Sequence, residues 1–174
     1  MTLDVGNIIS IIATSLTCIG LGLTVFQLWQ RKKVDEAKLV ADLQKAIRLD
    51  RKMAKVESYF DYGRHWYDDG FHKSENEALF DGFLAHMNYI CFLKSKRLMG
   101  KKTLKIFEYD LERTISNEDC LCYLWNLYHW SADQNIQCPF SRLVELAKEN
   151  MSEEERAQFE SNVESGFFVK RLEF

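Results

Sequence analysis

The 174-residue sequence predicts an all-α fold, with one N-terminal transmembrane helix continuing into a cytosolic helical bundle. Three observations predict it. The 26 residues between Asp4 and Arg31 carry no charge; as a helix rising about 1.5 Å per residue they extend roughly 39 Å, more than a hydrocarbon core of about 30 Å. One proline and eight glycines, three of them within the first 22 residues, leave little to interrupt helices further on. Apolar positions in the remainder recur at three- and four-residue spacing between recognisable caps. The chain thus reads as an N-terminal tail and transmembrane helix (1–30), a juxtamembrane helix or stalk (31–62) and a cytosolic helical domain packing on the stalk (63–174). About 140 residues beyond the span are enough to bury a core.

The first element, "GNIISIIATSLTCIGLGLTVFQLWQRKK" at 6–33, reads as a permanent anchor. A cleaved leader would begin with positive charge and end in an Ala-x-Ala-like site; neither is present, and the basic triplet Arg31-Lys32-Lys33 follows the apolar run. The other alternative is a core helix, but a domain of this size rarely needs one so long without a charge. Lys and Arg near the end of a span stay cytoplasmic, so the triplet sets the amino terminus outside and the C-terminal domain in the cytoplasm. Trp29 falls at the membrane interface, beside Arg31, Lys32 and Lys33, which reach the headgroups.

Within the span, Gly6, Ser10, Thr14, Cys18 and Gly22 recur every fourth residue as a ridge of small side chains, with Ile8, Ile12, Leu16, Ile19, Leu23 and Phe26 opposite. In lipid, small ridges let helix backbones approach, so this ridge is a candidate packing surface for a homo-oligomer or for another membrane protein. Hydroxyls also satisfy their own helix backbone, which leaves a simple anchor as the alternative. A hydroxyl-lined pore from several copies is a further alternative.

The stalk has no Gly or Pro from Arg31 to Tyr62, and Leu39, Leu43, Ala46, Met53, Val56 and Phe60 share one face, which predicts a helix without interruption. Asp50 interrupts that stripe, so a long coiled coil is not expected. "GRHWYDDGF" at 63–71 reads as a loop between Gly63 and Gly70. Ser74 and Glu77 form a capping box for the next helix, Gly100 stands at its far end, and Leu79, Phe80, Phe83, Leu84, Met87, Ile90, Cys91 and Leu98 give it a wide core face. A further helix is expected over 104–114. Asn117 then caps "CLCYLWNLYHW", apolar nearly all round and therefore central. Pro139 takes a first-turn position in a helix to about Glu149, and Ser152 with Glu155 caps a last helix to about Glu164. The apolar tail "GFFVKRLEF" docks onto its own domain, the alternative being a surface for a partner.

Charge is uneven. Residues 31–55 hold nine Lys or Arg against four Asp or Glu, and residues 56–174 hold fourteen against twenty-one, so net charge runs from +5 to −7. The basic part suits the lipid bilayer's anionic cytoplasmic leaflet, whereas the acidic part argues against nucleic acid as a partner. Five cysteines in a chain expected to face a reducing compartment are not expected to form disulfides, and most of them read as small core residues.

No catalytic, cofactor or metal signature stands out. His65, His72, His86 and His129 are scattered, Cys120 and Cys122 point in different directions on a helix, and H-E-x-x-H, paired C-x-x-C, G-x-G-x-x-G, the phosphate-binding P-loop and G-x-S-x-G are all absent. The densest acid–base group is the loop with Arg64, His65, Asp68, Asp69 and His72. The plainer account is a solvated connection whose Trp66 and Tyr67 cover the core.

The span "IIATSLTCIGLGLTVFQLWQRKK", running into a charged helix and a small aromatic-rich helical domain, resembles a loose group of bacterial single-pass membrane proteins of unknown function, some prophage-borne or linked to phage defence. The likeness covers the architecture of the whole chain, rests on no specific motif and carries over no functional residue. It implies an inner-membrane location and a role in antiviral defence. The expected function is therefore a membrane-anchored, non-enzymatic protein acting by self-association and protein–protein interaction, in a defence setting as a membrane-perturbing effector. The alternatives are an accessory subunit of a larger membrane enzyme or transporter, and an enzyme using the Arg64–His72 loop.

Overall fold

The computed structural model describes residues 5–171, with the side chains of residues 5–9, 11 and 12 outside that description. The described residues form seven helices: α1 (Val5–Arg48), α2 (Arg51–Asp61), α3 (Glu75–Ser95), α4 (Lys101–Ile115), α5 (Glu118–Asp133), α6 (Ser141–Asn150) and α7 (Glu153–Glu160). They contain no strand, only an isolated antiparallel bridge between Ser165 and Phe168. The fold is all-α. The chain divides into two units, Met1–Leu43 and Gln44–Phe174.

In the first unit α1 leaves its apolar side chains uncovered: Leu16, Ile19, Leu21, Leu23, Val25, Phe26 and Leu28 are each more than half exposed. Among the described residues no helix is long and apolar enough to cross a membrane. The side chains of Ile8, Ile9, Ile11 and Ile12, the most apolar stretch of the uncharged run, lie outside the described residues. Further along α1 the buried positions are Val40, Leu43 and Ile47, while Leu39 is half-buried and Ala46 exposed, so the burying stripe is rotated from the one read in the sequence.

The predicted unbroken helix through the stalk is also corrected. α1 stops at Arg48, and Asp50 adopts extended backbone with its carboxylate accepting from Lys52 N–H at 2.8 Å. Asp is weak inside a helix because its side chain competes for backbone donors; as an N-cap that competition starts a new helix, here α2.

The second unit packs around α3 and α5. Phe80, Phe83, Leu84, Met87 and Ile90 of α3 and Cys120, Leu124 and Trp125 of α5 are essentially fully buried, each large side chain adding about 1.5–3 kcal/mol of apolar burial. Ser74 caps α3 as expected, accepting from Glu77 N–H. The box does not close, because the Glu77 carboxylate turns to Lys73 N–H at 2.6 Å instead. Nor does α3 run to Gly100. It ends in a left-handed Arg97 (φ 54°), with Leu98 N–H bonded to Leu93 C=O, the six-to-one closure that usually takes glycine. Leu98 is consequently exposed and Met99 buried in its place, while Gly100 is the N-cap of α4.

Asn117 caps α5, and the Ser152–Glu155 box caps α7, which stops at Glu160. Pro139 lies two residues before α6, outside its first turn. That helix has no side-chain cap of its own; Asn88 of α3 supplies one, its Oδ1 accepting from Arg142 N–H at 2.9 Å and Leu143 N–H at 3.0 Å. The tail docks on its own domain. Phe168 is buried against Trp125 and Phe159, and buried Asn126 pairs with it as another strand would, donating to Val169 C=O at 2.8 Å and accepting from Arg171 N–H at 3.0 Å.

Candidate functional site

The polar loop between α2 and α3 is held by aromatic packing and one carboxylate. Trp66 stacks on Phe80 with ring centroids 3.9 Å apart and planes 14° apart, and Tyr67 and Phe71 meet Tyr123 edge-on. Burying these rings strands the loop backbone above the start of α5, where its N–H groups need acceptors. Asp119 provides them, taking Trp66 N–H at 2.6 Å and Tyr67 N–H at 3.3 Å on one oxygen. Asn117, besides capping α5, accepts from the Trp66 indole at 3.3 Å.

Each acid–base residue of the loop has a structural partner. His65 Nδ1 lies 3.3 Å from Asp119, with a side chain 88% exposed. Asp68 closes a turn by accepting from Gly70 N–H at 3.1 Å. Asp69 pairs with Arg171 at 2.8 Å and ties the loop to the C-terminal tail. The Arg64 guanidinium lies 5.5 Å from the Tyr62 ring centre. His72 sits between Glu77 (Nδ1 to Oε1, 2.8 Å) and Tyr67 (Nε2 to hydroxyl, 3.2 Å), so both ring nitrogens are engaged in one row of hydrogen bonds. The Tyr67 end of that row is buried, and burial raises its hydroxyl pKa. Nearby, Tyr123 donates to Asp81 at 2.7 Å, and burial raises the Asp81 carboxyl. The loop brings the five predicted residues into one stretch but does not converge them on a common point.

Among the described residues no group of three or more His, Cys, Asp or Glu is placed to hold a metal ion. His129 bonds to Phe159 C=O at 2.9 Å and Cys122 to Val169 C=O at 3.5 Å, so they and Cys120 serve separate contacts. Burial pushes the Cys91 thiol up to about 12 and raises Cys120, Cys122 and Cys138 as well, which keeps them out of the nucleophilic thiolate form.

On α1, Ser10, Thr14, Cys18 and Gly22 are exposed, and a side chain added at Gly20 or Gly22 would meet open space. The surroundings of Gly6 lie outside the described residues. Thr14 donates to Ser10 C=O at 2.8 Å, with Thr17 to Ala13 and Thr24 to Gly20 at 2.9 Å each, so these hydroxyls serve their own helix. Trp29, Arg31, Lys32 and Lys33 are exposed, and Lys33 Nζ stands 3.4 Å from the Trp29 ring centre.

No family model matches the sequence, and neither a curated protein nor a solved structure matches it significantly.

The sequence reading missed a groove along α4. Two hollows, of about 360 and 510 Å³, meet at Glu112, Ile115 and Asn150. Its trace in the sequence is the spacing Lys101, Leu104, Lys105, Glu108, Leu111, Glu112, Ile115, one helical stripe that mixes apolar and charged residues.

Proposed function

We propose that the chain is a membrane-anchored, non-enzymatic helical protein that acts by self-association and protein–protein interaction, with its amino terminus outside and the 44–174 unit in the cytoplasm. The observation that carries this reading is the uncharged run Val5–Gln30 within the single helix α1. Its exposed leucines, isoleucine and phenylalanine are apolar surface that in water calls for a cover. Lipid is that cover, and the exposed cations from Arg31 onward set the cytoplasmic side. Thr14, Thr17 and Thr24 enter the bilayer with their donors already bonded, which lowers the cost of burying them. The non-enzymatic part draws on the polar loop, where Asp68, Asp69 and His72 are engaged in contacts that hold the loop's own structure.

Association through Ser10, Thr14, Cys18 and Gly22, with Gly6 continuing the ridge, places these helices close enough to perturb the bilayer when copies assemble. The test is expression of the full chain beside the Ser10→Leu/Thr14→Leu/Gly22→Leu variant at matched membrane levels, following membrane fractionation, membrane potential and growth. Both chains are expected in the membrane fraction, with depolarisation in the first that disappears in the second. Recovery of the full chain from the soluble fraction would sink the anchor. Membrane recovery with no depolarisation, together with a stoichiometric partner on purification, would replace self-association by an accessory-subunit role.

A further inference from the structure

Acids outnumber bases over residues 56–174, yet six of the fourteen cations there fall between Lys94 and Lys105, and no Asp or Glu occurs from Gly82 to Phe107. Lys94, Lys96, Arg97, Lys101, Lys102 and Lys105 surround the corner where α3 turns into α4. All six are exposed, and none enters an ion pair among the described residues. The stability of the fold does not account for them. Lys101 and Lys102 open α4, whose first turn holds no acid and whose N-cap, Gly100, supplies no side-chain bond, so two cations stand at the positive end of a helix dipole. Arg97 holds a left-handed backbone at a position that usually takes glycine. The residue after such a turn usually packs back on its own helix, but Leu98 points outward, 57% exposed, with cations on both sides of it in the chain. Along α4, Lys102, Ile106 and Tyr109 follow at helical spacing, all exposed.

We propose that this corner is a membrane-surface contact of the 44–174 unit: Leu98 enters the interfacial layer of an anionic bilayer, and the six cations meet lipid phosphates around it. Association of this kind adds burial of apolar side chains to the attraction between cations and anionic headgroups. Both halves of the pattern fit that occupant. The cations find a dense anionic surface, and an exposed leucine, which in water is only a cost, finds acyl chain. A nucleic-acid backbone would take the cations but leave Leu98 in water, which makes it the poorer match. The proposed α1 anchor brings the unit near such a surface, but the contact is the unit's own and does not require α1 to span the bilayer.

The test introduces Leu98→Trp into the full chain, with Trp29→Phe to remove the indole expected at the interface. The chain is reconstituted into vesicles of brominated phosphatidylcholine, alone or mixed with brominated phosphatidylglycerol, and quenching is compared with that of the Trp29→Phe chain. Extra quenching from the introduced indole is expected in the anionic vesicles and not in the zwitterionic ones. Each Lys or Arg beside an anionic leaflet strengthens association about fivefold. Adding Lys96→Gln/Arg97→Gly/Lys101→Gln/Lys102→Gln should therefore weaken docking at least about a hundredfold and remove the extra quenching. Thermal unfolding of that charge variant should be no lower than that of its parent, since the removed cations oppose a dipole or occupy a glycine position; a clear loss would make them structural and overturn the proposal. No extra quenching in anionic vesicles, or equal quenching in both lipids, overturns it as well. So does a fluorescein-labelled single-stranded oligonucleotide that binds the full chain through these cations while the indole stays unquenched. Should the Leu98→Trp chain fail to fold, hydrogen exchange over residues 96–104 of the unaltered chain decides: slowing confined to anionic vesicles supports the contact, and equal exchange in both lipids overturns it. Carbonate extraction of the same vesicles reports on α1 separately, so a chain that is released loses its anchor while the corner is still judged by quenching.

Discussion

The loop at 63–73 and the groove along α4 are both dense in titratable side chains, yet they use them in opposite ways. In and around the loop the carboxylates are bound to groups of the fold: Asp119 to two backbone N–H groups, Glu77 to Lys73 N–H and His72, Asp69 to Arg171. In the groove the lysines and glutamates stand over an apolar floor with no ion pair among the described residues. Density of acid–base residues is therefore a poor guide to an interaction surface. What separates the two regions is whether the fold has already consumed the groups, and that follows from backbone geometry. A loop that buries Trp66, Tyr67 and Phe71 leaves backbone donors without helix partners, so it recruits nearby carboxylates. An α-helix such as α4 satisfies its own backbone and leaves its charges for other uses.

The largest difference is expected on removing a carboxylate from each region. Asp119→Ala leaves the Trp66 and Tyr67 amides without their acceptor beneath buried rings, and should lower unfolding stability by about 1–3 kcal/mol. Urea denaturation of the full chain in detergent checks this. A loss below about 0.5 kcal/mol would mean that water replaces the carboxylate and that the loop is not clamped.

A smaller effect concerns Asp81, beneath the same aromatic cluster. Burial is the main cause of its raised pKa, opposed by the hydrogen bond from Tyr123. A carboxyl whose folded pKa exceeds its unfolded value binds its proton more tightly in the native state. Its contribution is complete below the unfolded value of about 3.9 and is lost as pH rises through the folded value. Asp81→Asn keeps an oxygen for the Tyr123 hydroxyl and removes the titration. The stability of the unaltered chain relative to Asp81→Asn should therefore fall as pH rises from about 3.9 toward neutrality. A difference that instead grows with pH would show that the hydrogen bond to the carboxylate outweighs its desolvation.

Much of the helical architecture was legible because it depends on local patterns. The apolar run of α5, the Ser152–Glu155 box and the Asn117 cap are short-range features with short-range consequences. The misses came where a distant residue or a backbone conformation decided the outcome. α3 closes on Arg97 in a left-handed conformation that its sequence does not advertise, so Gly100 looked like the terminator and Leu98 like core. Glu77 left its box because His72 and Lys73 offered nearer donors. The α6 cap comes from Asn88, more than fifty residues away. In the loop, the residues Arg64, His65, Asp68, Asp69 and His72 were visible, but their partners Asp119, Arg171 and Glu77 lie on other elements and set what those residues do. The groove went unread because its α4 stripe is half charged, and a pattern search tuned to core faces passes over it.

The smallest expected effect gives the comparison its sharpest form. Lys105→Ala and Glu112→Ala remove exposed charges that enter no ion pair among the described residues, so each should leave unfolding stability within about 0.5 kcal/mol of the unaltered protein under conditions where it is monomeric. Alanine also favours the helix slightly over either residue, so a small gain is as consistent as no change. Thermal and urea unfolding of dilute full chain in detergent, at high enough salt to suppress association, measures the intrinsic term. A loss of more than about 1 kcal/mol in the dilute sample would make the groove charges structural like those of the loop, and the distinction between the two regions would fail.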